Sequence, residues 1–123
     1  MTVRAYTPKD YEMVMSWLDA RKVKRIHEKT LSTVGFIVPN VCAVWVYPTP
    51  SDFVYLENLF SNPGAIRSGE NVSKLIDAAI DFCRISDFKF LLSVTDHSAV
   101  IKRAIMKGAK LQGNQTLITF QLK

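Results

Sequence analysis

A chain of 123 residues carries 16 basic and 11 acidic side chains, a net charge of +5 with neutral histidines. Its 48% hydrophobic and 22% charged content excludes a disordered chain, and the length suits one domain over 1–123 with its own core. No apolar run approaches the roughly 18 residues of a membrane span, and the N-terminus lacks the apolar core of a secretion signal. The expected setting is cytoplasmic, away from membranes.

Residues 2–6 alternate weakly and suit a first strand. Thr7-Pro8-Lys9-Asp10 is a helix start, with Thr7 as cap, Pro8 at the first helical position and Asp10 three residues beyond the cap. Tyr11, Val14, Met15 and Leu18 then share one helical face. Residues 22–29 predict a second short helix with Val23 and Ile26 as its apolar contacts.

Residues 33–38 and 41–47 are β-branched and aromatic, and Pro39-Asn40 between them predicts a hairpin. Residues 53–60 form a further strand that Asn62-Pro63-Gly64 ends. Residues 68–86 give the clearest helix, because Val72, Leu75, Ile76, Ala79 and Cys83 make one stripe, with Ser68 as its cap. Residues 88–94 suit an apolar strand. A last helix runs from Asp96 or His97 to Lys107, with Gly108 just past its end. Residues 115–122 alternate and predict a closing strand.

The expected fold is α/β in the mixed sense: a mixed sheet of about six strands with helices on both faces. Its early strands are antiparallel. The helix over 68–86 should join the strands before and after it into a parallel pair by a right-handed crossover.

Cys42 and Cys83 sit in apolar segments without a CxxC pair, so two buried reduced thiols are expected. With only His27 and His97 as histidines, ligands at zinc spacing are too few, and no metal is expected. Arg21, Lys22, Lys24, Arg25 and Lys29 crowd one stretch, either a solvated basic face or a surface for an anionic partner.

Chemistry is most legible between Asn58 and Asn71. A strand runs into a loop carrying Gly64 and Gly69 and then into the long helix. The first N–H groups of a helix lack intrahelical acceptors and carry the positive end of its dipole, so Arg67 beside them completes a receptor for a diphosphate. The same pattern also suits an ordinary helix start with a flexible approach loop. Neither a P-loop nor a Rossmann glycine triplet is present.

This segment and the order of elements resemble the GNAT-type N-acetyltransferases, short and divergent in this instance. In that family a strand ends in a bulge, and Arg/Gln-x-x-Gly-x-Gly/Ala wraps the pyrophosphate of acetyl-CoA. Arg67-Ser68-Gly69-Glu70-Asn71-Val72 occupies that frame, with Arg67 matching and Glu70 and Val72 replacing the glycine and the Gly/Ala. Leu75 matches the apolar position beyond. Counting back from Gly108, His97, Val100 and Ala104 fall where the family often has Asn, Ala and Tyr, and Ala109 falls where Phe is usual. The opening from Val3 to Tyr11 is also similar. The Glu57–Pro63 stretch resembles short acetyltransferase-like proteins of phages, which would place the chain in a host cytoplasm.

The resemblance implies acetyl-CoA as acyl donor and an amine as acceptor. It implies cofactor contacts from Leu59, Phe60, Ser61, Arg67, Ser68, Gly69, Glu70, Asn71, Val72 and His97, with pantetheine between the strands over 53–60 and 88–94. The charge of Glu70 would repel a pyrophosphate, although a carboxylate there also favours the helix dipole. Ala104 cannot be a general acid, so the leaving thiolate would take its proton from another group or from water.

Glu57 stands in an otherwise apolar strand and is the candidate catalytic base, or else a partner for a basic side chain. Strict alternation places Tyr55, Glu57 and Leu59 on one face and Val54, Leu56, Asn58 and Phe60 on the other. His97 would meet the cofactor, or stand half exposed while Asp96 caps the helix. His27 is expected at the surface. Trp17 and Trp45 are core residues by default, and Trp45 alternatively lines the acceptor groove. Ser93, Thr95 and Ser98 have no identifiable base, which argues against a serine nucleophile.

Three functions remain open. The first is acetyl-CoA-dependent N-acyl transfer to an amine. The second is a non-catalytic binding or structural protein on the same fold, acting through a protein partner, plausibly viral. The third is a basic nucleic-acid-binding domain built on Arg21–Lys29, which lacks the interleaved aromatics of single-strand binders. Pairing of free sheet edges would give a homodimer.

Overall fold

A computed structural model describes residues 2–66, 68–95, 98–113 and 118–122. Five strands form one sheet in the order β1-β2-β3-β4-β5: Arg4–Ala5, Val34–Val38, Cys42–Pro48, Phe53–Ser61 and Phe90–Leu92. The first four pair antiparallel, and β4 and β5 pair parallel. The helices are α1 (Tyr11–Ala20), α2 (Ser68–Ile85) and α3 (Ser98–Met106). Among the described residues no helix is long and apolar enough to cross a membrane.

The sheet separates two apolar cores. On one face Val38, Val44, Val46, Val54 and Leu56 pack against the α2 stripe of Val72, Leu75, Ile76, Ala79 and Cys83. On the other, Ile37, Ala43 and Trp45 pack against Val14, Met15, Trp17 and Leu18 of α1. Both helical stripes are therefore buried as their spacing requires. Trp45 is fully buried, and its indole lies over Gly35, where an added Cβ would come within 2.8 Å of two ring atoms. Gly35 is thus a packing requirement of the tryptophan opposite it in the ladder.

The start of α1 is fixed by charge. Asp10 is buried and accepts from both guanidinium nitrogens of Arg4 at 2.7 and 2.8 Å, and from the Thr7 N–H at 2.9 Å. The Arg4 guanidinium holds the Asp10 carboxyl below the usual carboxylate range. The β2–β3 turn has Pro39 followed by Asn40 at φ +64°, with the Val41 N–H donating to the Val38 carbonyl, which is the pattern of a type II turn.

All three helices end the same way. The N–H after the left-handed residue reaches back five positions: Val23 to Leu18, Phe88 to Cys83 and Ala109 to Ala104. The left-handed residues are Lys22, Asp87 and Gly108, at φ +57°, +61° and +98°.

Four expectations need correction. Residues 22–29 form no α-helix: Lys22 turns the chain out of α1, Val23 is half exposed, and only a 3-10 turn at Glu28–Thr30 follows. The expected mixed sheet is present, with five described strands, but the closing strand expected over 115–122 is not formed at 118–122, where Ile118, Phe120 and Leu122 are exposed, while 114–117 lie outside the described residues. The strand expected over 88–94 shrinks to Phe90–Leu92 and is only partly covered. Asn58, Leu59 and Phe60 depart from strict alternation, because a bulge interrupts β4.

Cys42 and Cys83 are free, buried and in the same core. Burial pushes the Cys42 thiol up to about 11 from 9.0. The unfolded chain releases that proton first, so the stability it contributes is present below pH 9.0 and is lost as pH rises toward about 11. Denaturant titrations across this window should show the midpoint falling, and the fall should shrink in Cys42→Ala. A second expected outcome concerns the helix ends. Lys22→Gly relieves a left-handed side chain and should raise stability by about 0.5–1 kcal/mol, with a higher melting temperature, while Gly108→Ala should lower it by a similar amount.

Candidate functional site

The site begins with a defect in β4. Trp45 pairs with Glu57, but Ala43 pairs with Phe60, so two steps on β3 match three on β4. The extra residue is a bulge at Asn58, whose φ is +58°, a region that asparagine tolerates better than most side chains. Its amide donates to the Tyr47 hydroxyl at 2.6 Å, which anchors the bulge to β3.

Two consequences follow. First, the faces of β4 exchange: Val54 and Leu56 face α2, and so does Leu59, while Phe60 packs at 5.9 Å against Trp45 on the α1 side. The alternation expected for Leu59 and Phe60 fails here because the bulge consumes one residue. Second, β4 leaves β5. Their ladder spans only Phe53–Phe90, Val54–Leu91 and Tyr55–Leu92. The next carbonyl, that of Leu56, accepts instead from the Ser93 hydroxyl at 3.0 Å. Beyond it, residues 57–61 of β4 have no strand partner on the β5 side among the described residues.

This split opens into a pocket of about 250 Å³ lined by Leu59, Ser61, Gly69, Val72, Ala99, Val100 and Arg103. It lies between the end of β4, the first turn of α2 and one side of α3. A larger apolar groove of about 400 Å³ lies between β1 and α2, far along the sheet from this split. Lys107 clamps α3 to α2 through Asp77 at 2.7 Å. Gly69 permits the closest approach in the pocket: a Cβ there would lie 2.5 Å from a guanidinium nitrogen of Arg103. Arg103 takes part in no ion pair formed among the described residues. A cation over the positive end of a helix is repelled by it, so this pairing favours an anion between them.

The mouth is held from α1. Arg21 donates to the Ser61 carbonyl at 3.3 Å and to its hydroxyl at 3.0 Å. The following loop is tied by Asn62, whose N–H meets the Val41 carbonyl and whose amide reaches the Asn40 carbonyl, both at 2.8 Å. Arg25 is taken by Asp19 and Glu12, at 2.7 and 3.1 Å. The basic stretch over 21–29 therefore engages both of its arginines in contacts within the chain at its surface.

Of the residues singled out from sequence, Leu59, Ser61, Gly69 and Val72 come together in the pocket. Phe60 turns its ring to the opposite core. Asn71 is buried and partnered, and Glu70 is exposed in the first turn of α2. Glu57 is exposed on the α1 side of β4, across from Trp45. Arg67, Asp96, His97 and the side chain of Ser68 lie outside what the structure describes. Trp45 is a fully buried core residue. Sequence reasoning missed Arg103 and the pocket role of Ala99 and Val100, since only tertiary packing brings α3 to Gly69. It also missed Arg21 as a tie to Ser61. The signal available for the bulge was an asparagine interrupting an apolar strand. Among the described residues no group of three or more His, Cys, Asp or Glu is placed to hold a metal ion.

No family model matches the sequence, and no curated protein matches it. Solved structures do match in three dimensions. A probable acetyltransferase superposes with a TM-score of 0.77 at 12% identity, covering 100% of this chain and 99% of that one. A GNAT-family acetyltransferase from Streptococcus pneumoniae gives 0.69 at 14% identity, with 99% and 98% covered. An aminoglycoside acetyltransferase from an uncultured soil metagenomic sample, in complex with sisomicin, gives 0.68 at 14% identity, with 99% and 96% covered. The chain has the GNAT acetyltransferase fold.

The bulge has a direct test. Asn58→Val should destabilise the protein by about 2 kcal/mol, from a branched side chain at positive φ and a lost hydrogen bond. Asn58→Gly keeps the backbone conformation and should cost about 1 kcal/mol, as should Tyr47→Phe. Urea titration of the three variants checks the order.

Proposed function

We propose that the protein is an acetyl-CoA-dependent N-acyltransferase acting on an amine. The observation that carries this reading is the split between β4 and β5, which starts at the Asn58 bulge and runs to the first turn of α2. When bound, acetyl-CoA supplies an activated thioester, and the acetyl carbonyl carbon passes from sulfur to the amine nitrogen.

The residues present suit such a group. The unpaired edge over 57–61 offers backbone N–H and C=O groups to the two amides of a pantetheine arm, as a strand edge accepts an extended peptide. Leu59, Val72, Ala99 and Val100 supply apolar walls, and Gly69 with Arg103 a cationic cradle for a pyrophosphate. Ser61, fixed by Arg21, sets the rim. Glu57 accepts the proton that the amine loses, directly or through water, while the C–N bond forms, the C–S bond breaks and water returns a proton to the thiolate. Holding both reactants supplies most of the rate. Leu59, Phe60, Ser61, Arg67, Ser68, Gly69, Glu70, Asn71, Val72 and His97 remain the proposed cofactor set, with Phe60 acting through its backbone and Arg103 added.

A second reading has its own observation. Glu70 puts a carboxylate in the first turn of α2, and Ala104 offers no acid where the family often has tyrosine. Both favour a binding protein that keeps the fold without the chemistry.

Calorimetry with acetyl-CoA, desulfo-CoA and ATP separates the two. The expected result is one-to-one binding of acetyl-CoA and desulfo-CoA and little of ATP. Arg103→Ala should weaken acetyl-CoA about tenfold through a lost charge-assisted contact, and Glu70→Gln should tighten it several-fold. Absence of binding at millimolar cofactor overturns the transferase reading. Binding without acetyl transfer to any amine in a broad panel leaves the binding protein.

A further inference from the structure

Before the bulge, β4 shows two unlike faces. Val54 and Leu56 are buried under α2, while Tyr55 and Glu57 are exposed on the α1 side. There the exposed apolar surface extends across the ladder. Tyr47 stands opposite Tyr55, Phe53 opposite Phe90, and Tyr55 opposite Leu92. Tyr55, Phe90 and Leu92 keep 39%, 56% and 40% of their surface exposed, a large apolar share for strands in the middle and at the edge of a sheet. The Phe53 and Tyr55 rings meet edge to face at 5.3 Å and 89°, so the surface is shaped rather than loose.

Within the three strands of this surface, charge is confined to one group. In β3, β4 and β5 the only ionisable acid or base of the Asp, Glu, Lys, Arg or His type is Glu57. It lies two residues along from Tyr55 on the same face, beside the bulge and at the point where β4 and β5 part. An apolar aromatic floor ending in a single carboxylate matches a molecule with one cationic end and an apolar body. The ammonium pairs with Glu57 and the body covers Tyr55 and Leu92. A polycation gains little from its further charges here, because these strands offer one carboxylate and so pair one charge.

We infer that this face is the acceptor site and that it takes a primary amine borne on an aromatic or otherwise apolar body, not a polyamine or an amino sugar. The inference rests on the transferase reading above and narrows its acceptor. It places the acceptor on the α1 side of the split, with the acyl donor entering from the side of α2.

The test measures amine binding without any acyl donor, so that it stands apart from the cofactor result. 2-Phenylethylamine, ethylamine and sisomicin are titrated separately into the full chain and followed by tyrosine and tryptophan fluorescence and by calorimetry. Saturable binding of 2-phenylethylamine, at least tenfold tighter than either comparison amine, is expected. Tyr55→Ala and Glu57→Gln should each weaken it fivefold or more. Both are exposed positions, and circular dichroism checks that the variants fold. Equal or tighter binding of ethylamine or sisomicin overturns the inference, as does binding that Tyr55→Ala leaves unchanged. Absence of binding by all three amines also overturns it. Size-exclusion chromatography with light scattering then reports whether a second copy covers the face. Acetyl-CoA binding together with failure of 2-phenylethylamine removes only this inference. Amine binding without acetyl-CoA binding upholds the site and removes the transferase reading.

Discussion

The hydrogen bond from Asn58 to the Tyr47 hydroxyl, with the bulge it anchors, is the constraint on which the rest of the site depends. A regular β4 would continue its parallel ladder with β5 and close the sheet. The additional residue instead turns Leu59 to the α2 side and Phe60 to the α1 side. On the β5 side, residues 57–61 are left without a strand partner among the described residues. A backbone row that is unpaired costs free energy unless something else satisfies it. The same defect therefore leaves a row of backbone groups unpaired and opens the gap beside them.

Around that gap the molecule is held unevenly. α1, the sheet and α2 share two closely packed cores, with Trp45, Met15, Ile37 and Leu75 fully buried. α3 buries no residue completely and meets α2 through the Lys107–Asp77 ion pair and the approach of Arg103 to Gly69. An ion pair with Asp77 more than half exposed contributes little stability. Elements with few buried contacts open at low free-energy cost, so α3 is the wall of the pocket that moves most easily.

Much of the fold was legible because periodicity reports burial directly. The α2 stripe from Val72 to Cys83 and the α1 face from Tyr11 to Leu18 follow from spacing alone. Pro39-Asn40 foretold the hairpin, and Gly108 the end of α3, because each backbone conformation there suits few residues. The readings that failed are those where local pattern had no tertiary warrant. Residues 22–29 hold two apolar side chains and four basic ones besides Arg21, too little to bury as a helix once Lys22 has turned the chain. The alternation over 53–60 failed at one residue, and a single inserted residue inverts every face beyond it.

The candidate site divides along the same line. Sequence by itself determined the strand–loop–helix junction from Asn58 to Asn71, its glycine at position 69 and the departure at Glu70, because a helix start and the charges beside it are local properties. Tertiary structure alone decided that Arg103 of α3 stands over Gly69, that Arg21 ties Ser61 to α1, and that Glu57 ends an aromatic face. Those contacts join residues 34 to 40 positions apart, such as Gly69 with Arg103 and Arg21 with Ser61, and no pattern within one segment carries them. They exist only because two cores fix the helices on opposite faces of a sheet whose fourth strand carries a bulge.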